Sequence, residues 1–511
     1  MRPVLCAALL AALCAGAGTR AGAAPGYEAQ VVALRVTYQE FQEDRPWAKE
    51  RPDLRTGSAV VVAGPWLLTE AAMIRDATLI QVEKRQRAAR AAARVAHVDH
   101  EIDLALLAVD EPGFFDDLEP ARLARAVPTQ GSVSSVRWSN QQLEVSNSRV
   151  ARIEVKRSPY GSVHHAFLLV NTDLTGGGWS EPVFLGERLV GLTASQSDKF
   201  ASVIPAEIVA RFLAEAVEPG YAGFASLALA WQANQDRALA RYLGLSGEPR
   251  GVVIGEVPWG SSACGVLEPR DVLLALDGRE IDAIGNYRHP LYGQIALEHL
   301  AVDGHRPGDV LRARVLRAGA LRELALPLRR YPSAAPLVPW RRDEQAPPYR
   351  VEGGLVFREL DGRYLLSFGN DWRKKSPFRL VHLQDVEGQA QAPGRRRIVL
   401  LSQVLPAALN LGYHDLADLA VREINGRAIG SLADVGDAFQ SPRDGFHQVV
   451  FEPNEVRSEL VLDARGFEAA SARILAEYGV PAALRRPAAP LPDLGPECGG
   501  GSAAPGRVGA R

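Results

Sequence analysis

TDLTGGGWSEPVF, residues 172–184, combines a Gly-rich run, a single serine and a proline that opens an apolar strand. Glycines permit the tight backbone that a nucleophile-presenting loop needs, so the stretch has the form of a loop that offers a reactive hydroxyl. Trp179, however, stands where the surrounding pattern puts the serine, and Ser180 follows it by one residue. Outward from this loop lie short β-patterned runs: SAVVVAG (58–64), WLLTEA (66–71), LIQVEK (79–84), DLALLAV (103–109), AFLLVNT (166–172) and RLVGLTA (188–194). Gly, Pro and Asn/Asp separate them, which predicts an all-β sandwich or barrel. IPAEIVARFLAEAV, 204–217, has helical period and closes this first unit.

At 511 residues the chain exceeds one core and suggests three or four domains. With 58 Lys+Arg against 60 Asp+Glu, no electrostatic argument favours a nucleic-acid partner. Residues 1–24 read as a signal peptide. Arg2 gives the positive start, 4–18 the apolar stretch, and Ala21-Gly22-Ala23 a small-residue site, with cleavage after Ala23 or Ala24. No later segment has the ~18 consecutive apolar residues needed to span a bilayer, so the expectation is an exported chain, periplasmic or secreted, without a membrane span. Cys264 and Cys498 remain after processing. Two distant thiols make neither a disulfide framework nor a metal set, so both are expected to be bystanders and no metal or other cofactor is predicted.

The stretch 331–350 is a Pro-rich connector, and the Pro/Gly/Ala-rich end, 487–511, is expected to be disordered. Between them and before them one module occurs twice. GVVIGEVPWGSSA leads to DVLLALDGREI (271–281), and RIVLLSQVLPAAL leads to LAVREINGRAI (419–429). Each copy pairs two apolar strands, the second ending in Asx-Gly, whose residues both tolerate the positive φ of a tight turn.

The order of segments resembles the HtrA/DegP trypsin-like proteases over residues 30–217. TGSAVVVAGPWLLTEAAMI (56–74) resembles the strand pair leading to the triad histidine, DHEIDLALLAVD (99–110) the segment with the triad aspartate, and GGGWSEPVF the nucleophile loop. RLVGLTA resembles the strand after it, and SVIPAEIVARFL the closing helix. The resemblance implies a trypsin-like double β-barrel. It also places the triad positions at Ala72 (histidine), Asp103 (aspartate) and Trp179 (serine, anchored on Pro182). An alanine cannot take a proton and an indole cannot attack a carbonyl, so only Asp103 survives. Ser180 and Glu181 stand where glycines would shape the oxyanion loop. Ser180 is the only candidate for a displaced nucleophile, and it sits ~3.8 Å along the backbone from the family position. A substitute base would have to come from His97, His100, His164 or His165. Trp179 is expected to fill the space of a cleft, and Asp103 to be satisfied by backbone N–H groups.

The two repeats resemble PDZ domains, at 220–330 and, with a C-terminal helix, 351–486. Together with GYAGFASLALAW (220–231) and the connector, they make the layout similar to plant Deg-type (Do-like) proteases. The fold expected is therefore mainly β: a trypsin-like double barrel followed by two PDZ-like α+β modules. The resemblance implies peptide binding by strand addition, with Leu227, Ala228 and Leu229 as the carboxylate loop, Ala replacing the usual Gly. It also implies homo-oligomers built on trimers. The function expected is that of an exported pseudoprotease that binds or scaffolds extended polypeptides in envelope quality control. Two alternatives stand beside it: a serine endopeptidase using Ser180 with a relocated histidine, and a non-catalytic subunit of a mixed HtrA oligomer.

Overall fold

The structure, a computed structural model, describes residues 26–84, 90–139, 142–174, 179–340, 346–388, 394–453, 455–488, 490–495 and 498. The expected signal peptide and most of the tail lie outside these residues, as do 175–178 of the Gly-rich loop.

Six strands, β1 (Val31–Tyr38), β2 (Asp53–Val62), β3 (Trp66–Thr69), β4 (Ala77–Glu83), β5 (Arg90–Asp99) and β6 (Leu104–Val109), close into a barrel in the order β1-β2-β3-β6-β5-β4. Seven more follow: β7 (Arg122–Leu123), β8 (Gly131–Ser139), β9 (Gln142–Arg157), β10 (His164–Asn171), β11 (Pro182–Leu185), β12 (Arg188–Ser197) and β13 (Phe200–Pro205). They run in the order β11-β8-β9-β10-β13-β12-β7, and pairing of β11 with β12 closes six of them into a second ring. Closure leaves these strands no unpaired edge, which is why so many short strands form a stable unit. All six apolar runs quoted above fall in strands. The expected double barrel is the observed one.

Helix α2 (Ala206–Glu215; α1 is the single turn Ala71–Ile74) follows β13. Its Ile208, Val209 and Phe212 share one face at helical spacing and enter a core that draws on both barrels, with Val60, Leu68 and Leu104 from the first and Phe167, Phe184 and Ile204 from the second. Full burial of Phe212 alone is worth about 2–3 kcal/mol.

The first repeat forms a sheet in the order Ala230–Ala233, Val252–Glu256, Val272–Leu276, Val310–Arg317, Ala320–Pro327. The second orders Glu459–Asp463, Phe446–Phe451, Leu419–Ile424, Val399–Val404, Leu355–Glu359, Tyr349–Glu352, Leu484–Arg485. The two Asx-Gly turns match: Asp277 and Gly278 have φ of 48° and 77°, and Asn425 and Gly426 have 51° and 71°. In each case the turn joins an apolar strand to a two-residue return strand, as the sequence echo predicts.

Two expectations need correction. Cys264 and Cys498 are not bystanders but form a disulfide across 234 residues. Within the stretch expected to be disordered, the described residues 490–495 are not free of the fold: Leu494 is buried against Tyr331 and Ala335 of the connector. Both corrections have one cause. A Pro/Gly-rich segment cannot make its own core, but it can be held by a covalent bond and by apolar surface that another part of the chain supplies.

Candidate functional site

Where the resemblance puts the triad, the described residues form a closed polar knot. Asp103 is fully buried, has φ of 61°, and its Oδ1 accepts the Ala72 N–H at 2.7 Å, so this carboxylate pins the α1 turn. Ala72 presents only a methyl group, 3% exposed. Trp179 is half-buried and packs its indole onto the core of the first barrel. Arg55 closes over it: the guanidinium lies 5.3 Å from the Trp179 ring centroid and 4.1 Å from that of Tyr38, and Nη1 donates to the carbonyls of Ala72 and Met73 at 2.9 and 3.2 Å. Gly57 fits closely beneath: a Cβ there would come to 3.0 Å from both the Trp179 carbonyl oxygen and Met73 Sδ.

Ser180 is fully buried with φ of 59°, in the left-handed region. Its Oγ accepts the Glu70 N–H at 2.7 Å and shares a hydrogen bond of 2.7 Å with Thr69 Oγ1. None of the four histidines is among its partners. His97 instead meets Trp66 edge-on. His164 and His165 lie on β10, where His165 Nδ1 donates to the Ala166 carbonyl and burial pushes its pKa down to about 4. Glu181, next in line, is buried and faces Arg137 at 3.4 Å.

Glu70 is the residue the sequence reading missed. It is fully buried beside Asp103, and neither carboxyl oxygen reaches hydrogen-bond geometry with a described partner. Burial first, then the Asp103 charge, hold its pKa well above the carboxylate range; the nearby Ser180 N–H and Arg55 oppose this less strongly. The signal was present in WLLTEA, where one charged residue interrupts an otherwise apolar run.

In the first repeat, Leu227 is buried, Ala228 and Leu229 are half-buried, and Ala228 has φ of 44°. The loop therefore keeps the left-handed conformation despite the alanine. Among the described residues no acceptor meets the N–H groups of Leu227, Ala228 or Leu229, and Ala228 and Leu229 border a cavity of about 270 Å³ that Arg157, Glu256 and Trp340 also line. Unpaired amides beside a guanidinium suit a carboxylate. The adjoining strand Ala230–Ala233 ends the sheet order, leaving one edge for an added strand. Because a non-glycine residue in the left-handed region costs about 1 kcal/mol, Ala228→Gly is expected to leave the loop conformation unchanged. It should raise the melting temperature slightly, as read by scanning calorimetry.

His289, His299 and Asp303 bring potential ligand atoms within 4.8 Å of one another. The donor set does not fit a metal. His289 Nδ1 accepts the N–H groups of Leu291 and Tyr292, and His299 Nδ1 accepts that of Ala166. Both neutral rings then carry their proton on Nε2, and His289 Nε2 lies 3.4 Å from Asp303 Oδ2 as a donor.

Residues 338–485 match the family model of a PDZ domain, which takes in the end of the connector. The chain is 27% identical over 460 residues to protease Do-like 2, chloroplastic, of Arabidopsis thaliana, covering 88% of this chain and 74% of that one. It is 26% identical over 412 residues to protease Do-like 4, mitochondrial, of the same plant, covering 79% and 75%. Among solved structures, the HtrA-type protease AlgW with decapeptide aligns with a TM-score of 0.45 at 20% identity, over 60% of this chain and 97% of that one. No helix among the described residues is long and apolar enough to cross a membrane. With these relatives matching 79–88% of its length, the chain is a homologue of the Do-like, DegP/HtrA proteases and carries a PDZ domain at residues 338–485.

Proposed function

We propose that this homologue does not hydrolyse peptide bonds and instead holds extended polypeptides through its PDZ units, as a pseudoprotease of envelope protein quality control. One observation carries the reading: the only serine at the nucleophile loop, Ser180, is fully buried and its Oγ is committed to Thr69 and the Glu70 N–H. A substrate carbonyl cannot reach it, and no imidazole stands ready to take its proton. The amides of Leu227–Leu229, which meet no acceptor among the described residues, the Arg157 guanidinium and the strand edge at Ala230–Ala233 support peptide capture by strand addition at the first PDZ unit. Export is supported by the signal-like N-terminus and by the Cys264–Cys498 disulfide, which suits an oxidising compartment. Assembly into trimer-based homo-oligomers is carried over from the family resemblance.

The test is unfolded casein, labelled with fluorescein and incubated with the pure protein. The expected outcome is co-elution of intact casein with the protein on gel filtration and no release of acid-soluble fluorescence. Release of fragments that tracks with the protein through purification would overturn the reading.

A further inference from the structure

The cavity beside Ala228 and Leu229 is not built by the first PDZ unit alone. Val338, Trp340 and Gln384 line it too, and all three fall within 338–485, so the second unit supplies its far wall. That wall is held from behind. The Val338 N–H donates to the Gly388 carbonyl at 3.0 Å, and Leu337 and Val338 are buried in one cluster with Leu360 and Leu383. Trp340 packs on the same cluster, its ring centroid 6.0 Å from that of Trp372. Gly362 permits this close approach: its N–H donates to the Pro339 carbonyl at 2.9 Å, and a Cβ there would collide with the Trp340 carbonyl oxygen. Arg397, 1% exposed, donates to the carbonyls of Ala334 and Pro336 at 2.7 and 3.2 Å. Glu101, between β5 and β6, ties the other side of the connector to the barrels. Its two carboxylate oxygens accept the N–H groups of Ser333 and Ser162 at 2.8 and 2.7 Å.

One group on this wall points to a ligand. Gln384 Oε1 is buried and has no hydrogen-bond partner among the described residues. A buried acceptor without a donor is costly, and an extended peptide brings N–H groups into such a cavity. We propose that the two PDZ units share one peptide site: the carboxylate of a chain end meets the Leu227–Leu229 amides and Arg157, its last, apolar side chain lies against Trp340, and one of its N–H groups donates to Gln384 Oε1. This rests on the reading of the first PDZ unit as the peptide holder, and makes Trp340 and Gln384 of the second unit the residues that select the ligand. Arg397 is a positioning residue, since it acts through the backbone of the connector. Glu256 lines the cavity as well, and burial pushes its carboxyl above the usual range, which favours the neutral form beside a carboxylate ligand.

The experiment measures anisotropy of a fluorescein-labelled decapeptide ending in leucine with a free carboxylate, and of its C-terminal amide, on the full-length protein and its Gln384→Leu, Trp340→Ala and Trp340→Phe variants. The parent is expected to bind the free-carboxylate peptide and to bind the amide at least about tenfold more weakly, since the amide forfeits a charge-assisted contact. Gln384→Leu should weaken the carboxylate peptide about fivefold, the worth of one hydrogen bond. Trp340→Ala should weaken it at least about tenfold, as loss of an aromatic anchor does, and Trp340→Phe should restore most of that. Where Trp340→Ala also lowers the melting temperature, Gln384→Leu decides, because it keeps the side-chain bulk and removes only the polar atoms. Affinity equal to that of the parent in Gln384→Leu and Trp340→Ala overturns the shared site and leaves the peptide reading of the first unit standing. No binding of either peptide to the parent overturns both.

Discussion

Glu70→Gln is expected to stabilise the barrel domain, and to do so more at pH 8 than at pH 4. Glu70 and Asp103 are both fully buried and close enough for the Asp103 charge to act on Glu70, whose carboxyl is held in its neutral form by burial and by that charge. The sign follows from linkage. Below the unfolded value of 4.5 the group is protonated in both states and costs nothing. As pH rises past that value the unfolded chain releases the proton while the folded chain retains it. Stability is therefore lost from about pH 4.5 upward, until the raised folded pKa is passed. Glutamine has no proton to release, so the variant lacks this slope, and its amide adds a donor beside the Asp103 carboxylate. The gain near neutral pH should be about 1–3 kcal/mol, the range for relieving one unsatisfied buried polar group. Scanning calorimetry from pH 4 to pH 8 reads it as a separation between the two proteins that widens with pH. A variant that melts lower than the parent at pH 8 would mean that the Glu70 carboxyl makes a bond the fold depends on.

The reach of sequence reasoning here follows from the length scale of each interaction. The barrels were legible because each strand announces itself within seven residues, and the order of runs constrains which ones pair. The repeated Asx-Gly turns were legible for the same reason: positive φ at Asp277–Gly278 and Asn425–Gly426 is demanded locally. The knot around Ser180 was only half legible. The family resemblance places the histidine and serine positions at Ala72 and Trp179, which the sequence alone suffices to read. That Ser180 would turn inward and bond the Glu70 N–H, 110 residues earlier, depends on how two barrels meet. The disulfide lay further out of reach, since nothing near Cys264 or Cys498 signals a partner 234 residues away. The left-handed Ala228 falls between these cases. The residue type argues against that backbone, and the packing of Leu227 and the Ser226–Arg329 bridge impose it anyway.

The largest expected effect belongs to building the triad that the family resemblance implies, and it requires several changes together. Trp179→Ser alone should give no fluorophosphonate labelling, because position 72 still offers a methyl group and cannot take the proton. Trp179→Ser with Ala72→His supplies the base but keeps Ser180 at φ of 59° and bonded to Glu70, and keeps the buried Glu181 charge, where an oxyanion loop needs freely turning glycines. The fourfold protein, with Ser180→Gly and Glu181→Gly added, is the first in the series expected to label. Loss of nucleophile and base together costs roughly 10⁶ in kcat in a working triad, so even partial recovery stands far above the parent background. The parent and its Ser180→Ala variant should be alike in showing neither labelling nor casein cleavage; cleavage lost in Ser180→Ala would instead make Ser180 a displaced nucleophile. Asp103 supplies the control. Its Oδ1 already fixes the backbone of residue 72, so a histidine there starts with its main chain correctly held and needs the carboxylate to orient its ring. Adding Asp103→Asn to the fourfold protein should therefore abolish the labelling if, as the family resemblance implies, that carboxylate holds the triad aspartate position.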